Sequence, residues 1–205
     1  PWINPAELSI VSSFWTVLLL SLVPGVGNFA GGMLAELWPT SARLLNWALH
    51  AASGIVIAII AVELMPEALG SLAGAWIALA FACGGMAYVM LESVINRTQR
   101  GSGSGRSRMW MIYAAVAVDL TSDGLMIGTG SALSPGLAIA LAVGQMLADV
   151  PEGYATVANF RDKDVSRGKR ILFSASFFIY VIGAALFSYL LLRGAPESLK
   201  MAALV

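Results

Sequence analysis

The sequence predicts an all-α, polytopic helical membrane protein, with six transmembrane helices and the start of a seventh in one membrane domain covering 1–205. Three observations predict it. Hydrophobic residues make up 58% of the chain and charged residues only 12%, with a mean hydropathy of +0.79. A soluble domain carries about 25% charged residues, so half the usual charge is missing. Six apolar runs, each long enough to cross hydrocarbon at a helix's rise per residue, recur between short polar breaks. The two strongly basic connections are separated by two of these runs, as the positive-inside rule requires of loops on one face. A formal net charge of zero gives no case for nucleic acid as a partner. The single cysteine, Cys83, excludes an internal disulfide and reads as a small apolar residue within a helix. No basic n-region followed by a short apolar core and cleavage site opens the chain, so no signal peptide is expected.

The first span covers about 10–34 and is interrupted by Pro24, Gly25 and Gly27. Such interruptions are tolerated where neighbouring helices or a water-lined cavity satisfy the freed backbone groups. A polar loop from Glu36 to Arg43, broken by Pro39, follows. The second span, about 44–68, ends with Glu63 and Glu67 four residues apart on one face. Pro66 cannot donate to the carbonyl four residues back, so this end is expected to open locally. It reads either as a solvated helix end or as a vestibule for incoming ions. His50, near the other end of that span, reads as a packed or interfacial side chain rather than a ligand.

The third span covers about 72–95, where Gly74, Gly84, Gly85 and several alanines suit close packing in lipid. Residues 96–108 form a Gly/Ser-rich stretch with four arginines, expected to be a flexible cytoplasmic linker, either native or introduced for expression. The fourth span, about 109–132, is joined to the fifth, about 137–160, by a turn at Ser134-Pro135-Gly136. A loop from Arg161 to Arg170 holds five basic and two acidic residues. The sixth span covers about 171–192, and another apolar stretch begins beyond Arg193–Glu197. The two basic loops place the N-terminus outside, with the fourth span rising outward and the fifth descending.

The chemistry lies in spans four and five. Asp119 and Asp123 are one helical turn apart on one face, and Asp149 and Glu152 are three residues apart on another. A carboxylate near the bilayer centre costs about 2.5–3.5 kcal/mol, so four cost roughly 10 kcal/mol unless something offsets them. Antiparallel helices joined by a short turn lie side by side, so the two acidic faces can converge. Like carboxylates a few ångströms apart in a low dielectric cannot all stay ionised alone; protons or a cation must sit among them. Pro151 frees the carbonyl of Leu147, Gly153 permits close approach, and Thr121, Ser122 and Gln145 are further polar neighbours. An all-oxygen set suits a hard divalent cation such as Mn²⁺, Mg²⁺ or Ca²⁺, with Fe²⁺ and Zn²⁺ also within range.

These residues resemble the ZIP (Zrt-/Irt-like protein) family of divalent metal transporters. That family's fourth helix reads His-Asn-x-Pro-Glu-Gly with a glycine four residues on; here the positions read Asp119-Leu120-Thr121-Ser122-Asp123-Gly124, then Gly128. Its fifth helix reads His or Gln, then Glu or Asp, x-Pro-Glu-Gly; here Ala148-Asp149-Val150-Pro151-Glu152-Gly153 matches from Asp149 onward. Glu63-Leu64-Met65-Pro66-Glu67-Ala68 is similar to the Pro-Glu-Ala end of the family's second helix. The basic linker stands where the family has a variable cytoplasmic loop. The departures are specific. Asp119 replaces a metal-binding histidine, Ala148 a His or Gln ligand, Leu120 the asparagine and Ser122 the proline. In the sixth helix Ser174, Ser176 and Tyr180 stand in for a glutamate. Loss of imidazole favours a harder or more promiscuous site than a zinc-selective one, and loss of the asparagine and glutamate puts a second metal in doubt. The family's eight or so spans imply that the last helices lie outside this sequence.

The resemblance implies a ZIP-like bundle moving zinc, iron or manganese, as transported substrate, by alternating access. It implies no enzymatic activity and a multi-pass protein of the cell (inner) membrane, with divalent metal ions and the lipid bilayer as partners and a homodimer left open. The metal ligands expected are Asp119, Asp123, Asp149 and Glu152. Protons would compete with metal for these carboxylates, so uptake is expected to depend on pH. Two alternatives stand beside this one. An intramembrane aspartyl hydrolase would use two of the acids as a proton-sharing dyad, although no Gly-x-Gly-Asp motif is present. A structural membrane subunit would use them only to fix packing.

Overall fold

A computed structural model of the chain describes residues 5–38, 41–99 and 105–204. The fold is all-helical, with no strand among the described residues. The helices are α1 (Pro5–Leu37), α2 (Ala42–Ile59), α3 (Met65–Ser71), α4 (Gly74–Gln99), α5 (Gly105–Leu133), α6 (Pro135–Arg161), α7 (Arg167–Leu192) and α8 (Glu197–Leu204). Among the described residues, four stretches are long and apolar enough to cross a membrane: Phe14–Leu37, Leu45–Ser71, Met109–Leu133 and Arg167–Leu192. Helix α4 adds a shorter apolar stretch, Gly74–Met90. Helix α6 is not among them; it carries Gln145, Asp149 and Glu152 on its length, packs on α1, α2 and α5, and leaves Ile139, Val143 and Leu147 exposed along one face.

Helix α6 is the axis of the molecule. Helix α1 runs along it, α5 and α2 flank it, and α5 and α1 also pack on α7. Small residues make this approach close, since helices in lipid associate through packing rather than through expulsion of water. Gly27 and Gly31, four apart on α1, sit against the Met146 and Val150 carbonyls of α6, and a Cβ at Gly31 would overlap the Val150 oxygen. Gly124 and Gly128, four apart on α5, meet the Val181 and Ala185 carbonyls of α7 in the same way. Pro24 lies inside a continuous α1 rather than at a break. Its lost hydrogen bond is accommodated within a face that this packing encloses: Ser21, Pro24 and Asn28 are all buried.

Three boundaries differ from the sequence expectation. Glu36 belongs to the last turn of α1, not to a loop, because it has a partner across the bundle. Residues 96–99 and 105–108 are helical extensions of α4 and α5, so of the expected linker only 100–104 lie outside the described residues. The turn between α5 and α6 is tighter than expected. Ser134 alone is extended and caps α6 by accepting from the Leu137 amide at 3.2 Å, while Pro135 and Gly136 already lie in the first helical turn.

The second apolar run does open before Pro66. Residues Ile60–Leu64 form a π turn, and the Met65 amide bonds back to the Ile60 carbonyl five residues earlier. Ile59 and Leu64 on this run join Ile127, Leu137, Leu141 and Met201 in the largest apolar cluster, which seats α8 on the bundle. Lys200 of α8 donates to the Ala132 carbonyl at 2.9 Å, satisfying one of the carbonyls left unpaired at the end of α5.

At the end of the bundle where α1 finishes and α7 starts, the Glu36 carboxylate, with its side chain 6% exposed, accepts from Arg170 Nε and Nη2 along one edge of the guanidinium. Arg167 stands 3.7 Å away, and Arg161 donates to the Ala35 carbonyl at 2.8 Å. The connection from α6 to α7 turns through Asp164, whose φ of 57° is left-handed, a conformation that aspartate adopts more readily than most residues.

Candidate metal centre

The site is built by the register of α5 against α6. These helices are antiparallel and joined by one residue, so each turn down one meets a turn up the other. Nearest the connection, Gly130 faces Leu141 and Ala138. One turn on, Gln145 Nε2 donates to Met126 Sδ at 3.6 Å. The next turn sets Asp123 against Asp149, and the one after sets Asp119 against Glu152. The four acids therefore form two adjacent rungs of one ladder.

Ligand oxygens from Asp119, Asp123 and Asp149 all lie within 4.8 Å of one another, a spacing that one cation can bridge. Glu152, the fourth expected ligand, lies beside Asp119 but outside this mutually close trio. Exposure is graded across the cluster: Asp119 is exposed, Asp123 and Glu152 are half-buried, and Asp149 is 2% exposed. The cluster thus has an accessible edge and a closed end. At the closed end the Asp149 Oδ2 atom is buried with no hydrogen-bond partner. An unsatisfied carboxylate oxygen is among the most costly groups a protein can bury, and a cation is the ligand that satisfies it without a donor.

The other polar residues singled out from the sequence divide. Gln145 reaches the neighbouring rung, with its Oε1 buried and unpartnered. Thr121 directs its hydroxyl to the Ala117 carbonyl at 2.6 Å, and Ser122 is exposed beside a cavity of about 450 Å³ lined mainly by apolar side chains of the π turn, α4, α5 and α8. Helix α6 continues through Pro151 without a break. Ser176 and Tyr180 of α7 are engaged by the Tyr113 hydroxyl at 2.7 and 3.3 Å, next to an aromatic cluster with Phe173 and Phe177. Ser174 is buried beside Gly32 of α1. Where α7 passes Leu120 it offers Phe177 and Val181, an apolar contact.

Glu63 and Glu67 are half-buried around the π turn, and Ala148 is buried with no ligand atom to offer. His50 lies exposed on α2, with its Nδ1 2.8 Å from the Asn46 carbonyl, at a distance from the acids along the chain and in a different cavity. Sequence reading passed over Asn28 of α1, whose side chain is 1% exposed. A lone asparagine in an apolar run gave no sign of which face it occupied.

No protein-family model and no curated protein matches this chain. What the cluster can do chemically follows from its own donors: three carboxylates at a spacing one cation can bridge and a fourth, Glu152, beside Asp119, with no nitrogen or sulfur ligand among them.

Proposed function

We propose that the protein is a divalent cation transporter, divergent from but related to the ZIP family, with Asp119, Asp123, Asp149 and Glu152 as ligands for the transported ion. On this reading six helices cross the membrane, α4 and α6 included, and α8 is the start of a seventh. The ion is substrate rather than resident cofactor. Its identity lies among Mn²⁺, Fe²⁺ and Zn²⁺, with oxygen donors favouring the harder end of that range.

The observation that carries the reading is the buried, unpartnered oxygen of Asp149 at the closed end of a four-carboxylate ladder. A packing role with shared protons would relieve the repulsion among the acids but leave that oxygen buried without a donor. Transport fits better than a fixed structural ion because the cluster is open at Asp119 and closed at Asp149, the asymmetry of a site reached from one direction at a time. Alternating access would move α1, α5, α6 and α7 against α2 to α4.

The test is uptake of Mn²⁺ into proteoliposomes by the wild type and by the double variant Asp123→Asn, Glu152→Gln. Uptake above protein-free liposomes is expected for the wild type, with at least a tenfold loss in the variant. Equal uptake by both would falsify the assignment. An aspartyl hydrolase would bind no metal in this assay, so wild-type binding also separates the two classes.

A further inference from the structure

Three side chains among the described residues bury polar atoms that have no hydrogen-bond partner: Asn28, Gln145 and Asp149. Gln145 and Asp149 lie one turn apart on α6, on the ladder already described. Asn28 belongs to a different helix, and both ends of its amide, Oδ1 and Nδ2, are unmet. It is the most completely buried of the three, at 1% exposure.

The position of Asn28 is fixed by its backbone. Gly153 of α6 has no room for a side chain because the Asn28 carbonyl occupies that space, with the Asn28 Cα 2.9 Å from where a Cβ would stand. Asn28 is thereby set on the α6-facing side of α1, against the residue that follows Glu152 and one turn from Asp149. Gly27 and Gly31 on either side hold α1 at this height against Met146 and Val150.

The unmet atoms do not balance. Asn28 Oδ1, Gln145 Oε1 and Asp149 Oδ2 are acceptors, whereas Asn28 Nδ2 is the single donor. Surplus acceptors, two of them on α6 and one on the helix packed against Gly153, are met by a positive ion, which takes lone pairs from oxygens.

We propose that Asn28 is a neutral oxygen ligand of the same cation, so that the site is built from three helices rather than two, with its Oδ1 on the ion and its Nδ2 donating to a carboxylate oxygen. The assignment rests on the acidic-site reading above and deepens it. A neutral ligand from α1 adds an oxygen without adding another charge to repel the four carboxylates. It also links occupancy of the site to the seating of α1.

The experiment is a calorimetric titration of detergent-solubilised protein with Mn²⁺, on the wild type, Asn28→Leu and Asn28→Asp, with thermal unfolding of each metal-free protein. Asn28→Leu keeps the size of the side chain and removes both unmet polar atoms. It is expected to leave metal-free unfolding unchanged or raised while weakening Mn²⁺ about 10- to 100-fold, the range seen when a supporting group of a metal site is lost. Asn28→Asp keeps an oxygen at that position and is expected to bind at least as tightly as the wild type. Equal affinity in the wild type and Asn28→Leu overturns the role of Asn28 and leaves the four acids standing. Should Asn28→Leu fail to fold, loss of binding in a folded Asn28→Asp overturns it instead. A wild type that takes no Mn²⁺ overturns the acidic-site reading and this assignment with it.

Discussion

At the scale of single residues, the molecule accepts a cost at Asp149 that its function would repay. Its Oδ2 is buried without a partner and its neighbours across the ladder are acids. Asp149→Asn removes a charge from that group and supplies an amide donor. The metal-free protein is expected to gain about 1–3 kcal/mol of stability. The same change is expected to abolish the upward melting shift that Mn²⁺ gives the wild type, because ligand binding stabilises only the state that binds. Thermal unfolding with and without Mn²⁺ reads both. A variant that melts lower than the wild type without metal would show that the carboxylate is structural.

The acids were legible in the sequence because their cost is anomalous in an apolar run, and because spacings of four and three put each pair on one helical face. The short turn at Ser134 then forces the two faces together. Asn28 was not legible, since its inward face is decided by glycines packing on carbonyls of a helix more than a hundred residues away. Glu36 was misread for a related reason: a charged residue after an apolar run looks like a loop until Arg170 is found beside it.

At the scale of elements, the α1–α6 contact is made by backbone against backbone. Gly31 has no space for a methyl group, whereas Gly54 on α2 has no atom within 4 Å of where one would stand. Gly31→Ala must push α1 off α6, and overpacking of this kind costs about 1–3 kcal/mol. Gly54→Ala is expected to be neutral or to stabilise by about 0.5–1 kcal/mol, by removing backbone freedom from the unfolded chain. Melting temperatures of the two variants, measured side by side, are expected to move in opposite directions or to differ by that sum. The helices themselves were read from hydropathy to within a few residues along most of the chain. Their ends were not, because caps, ion pairs and helical extensions set them: Ser134 caps α6, Glu36 prolongs α1, and α4 and α5 reach into the expected linker.

At the scale of the whole molecule, the basic ends of α6 and α7 meet the end of α1, as alternate helices of a multi-pass chain must. From the positive-inside rule we propose that this end faces the cytoplasm. Ser166, exposed at the start of α7, tests the assignment. In a Cys83→Ala background, Ser166→Cys is expected to react with a membrane-impermeant maleimide only after cells are opened. Labelling in intact cells would invert the topology.

The pairing of Glu36 with Arg170, reinforced by Arg161 on the Ala35 carbonyl, has a mechanical consequence. It rivets three long rods together at one tip. A two-pronged carboxylate–guanidinium contact with a further guanidinium beside it holds its geometry better than a lone surface pair, so that tip stays closed while weaker contacts give way. Fastened at that tip and seated on α1 along their length, the other two would swing with it as one lever rather than part from it.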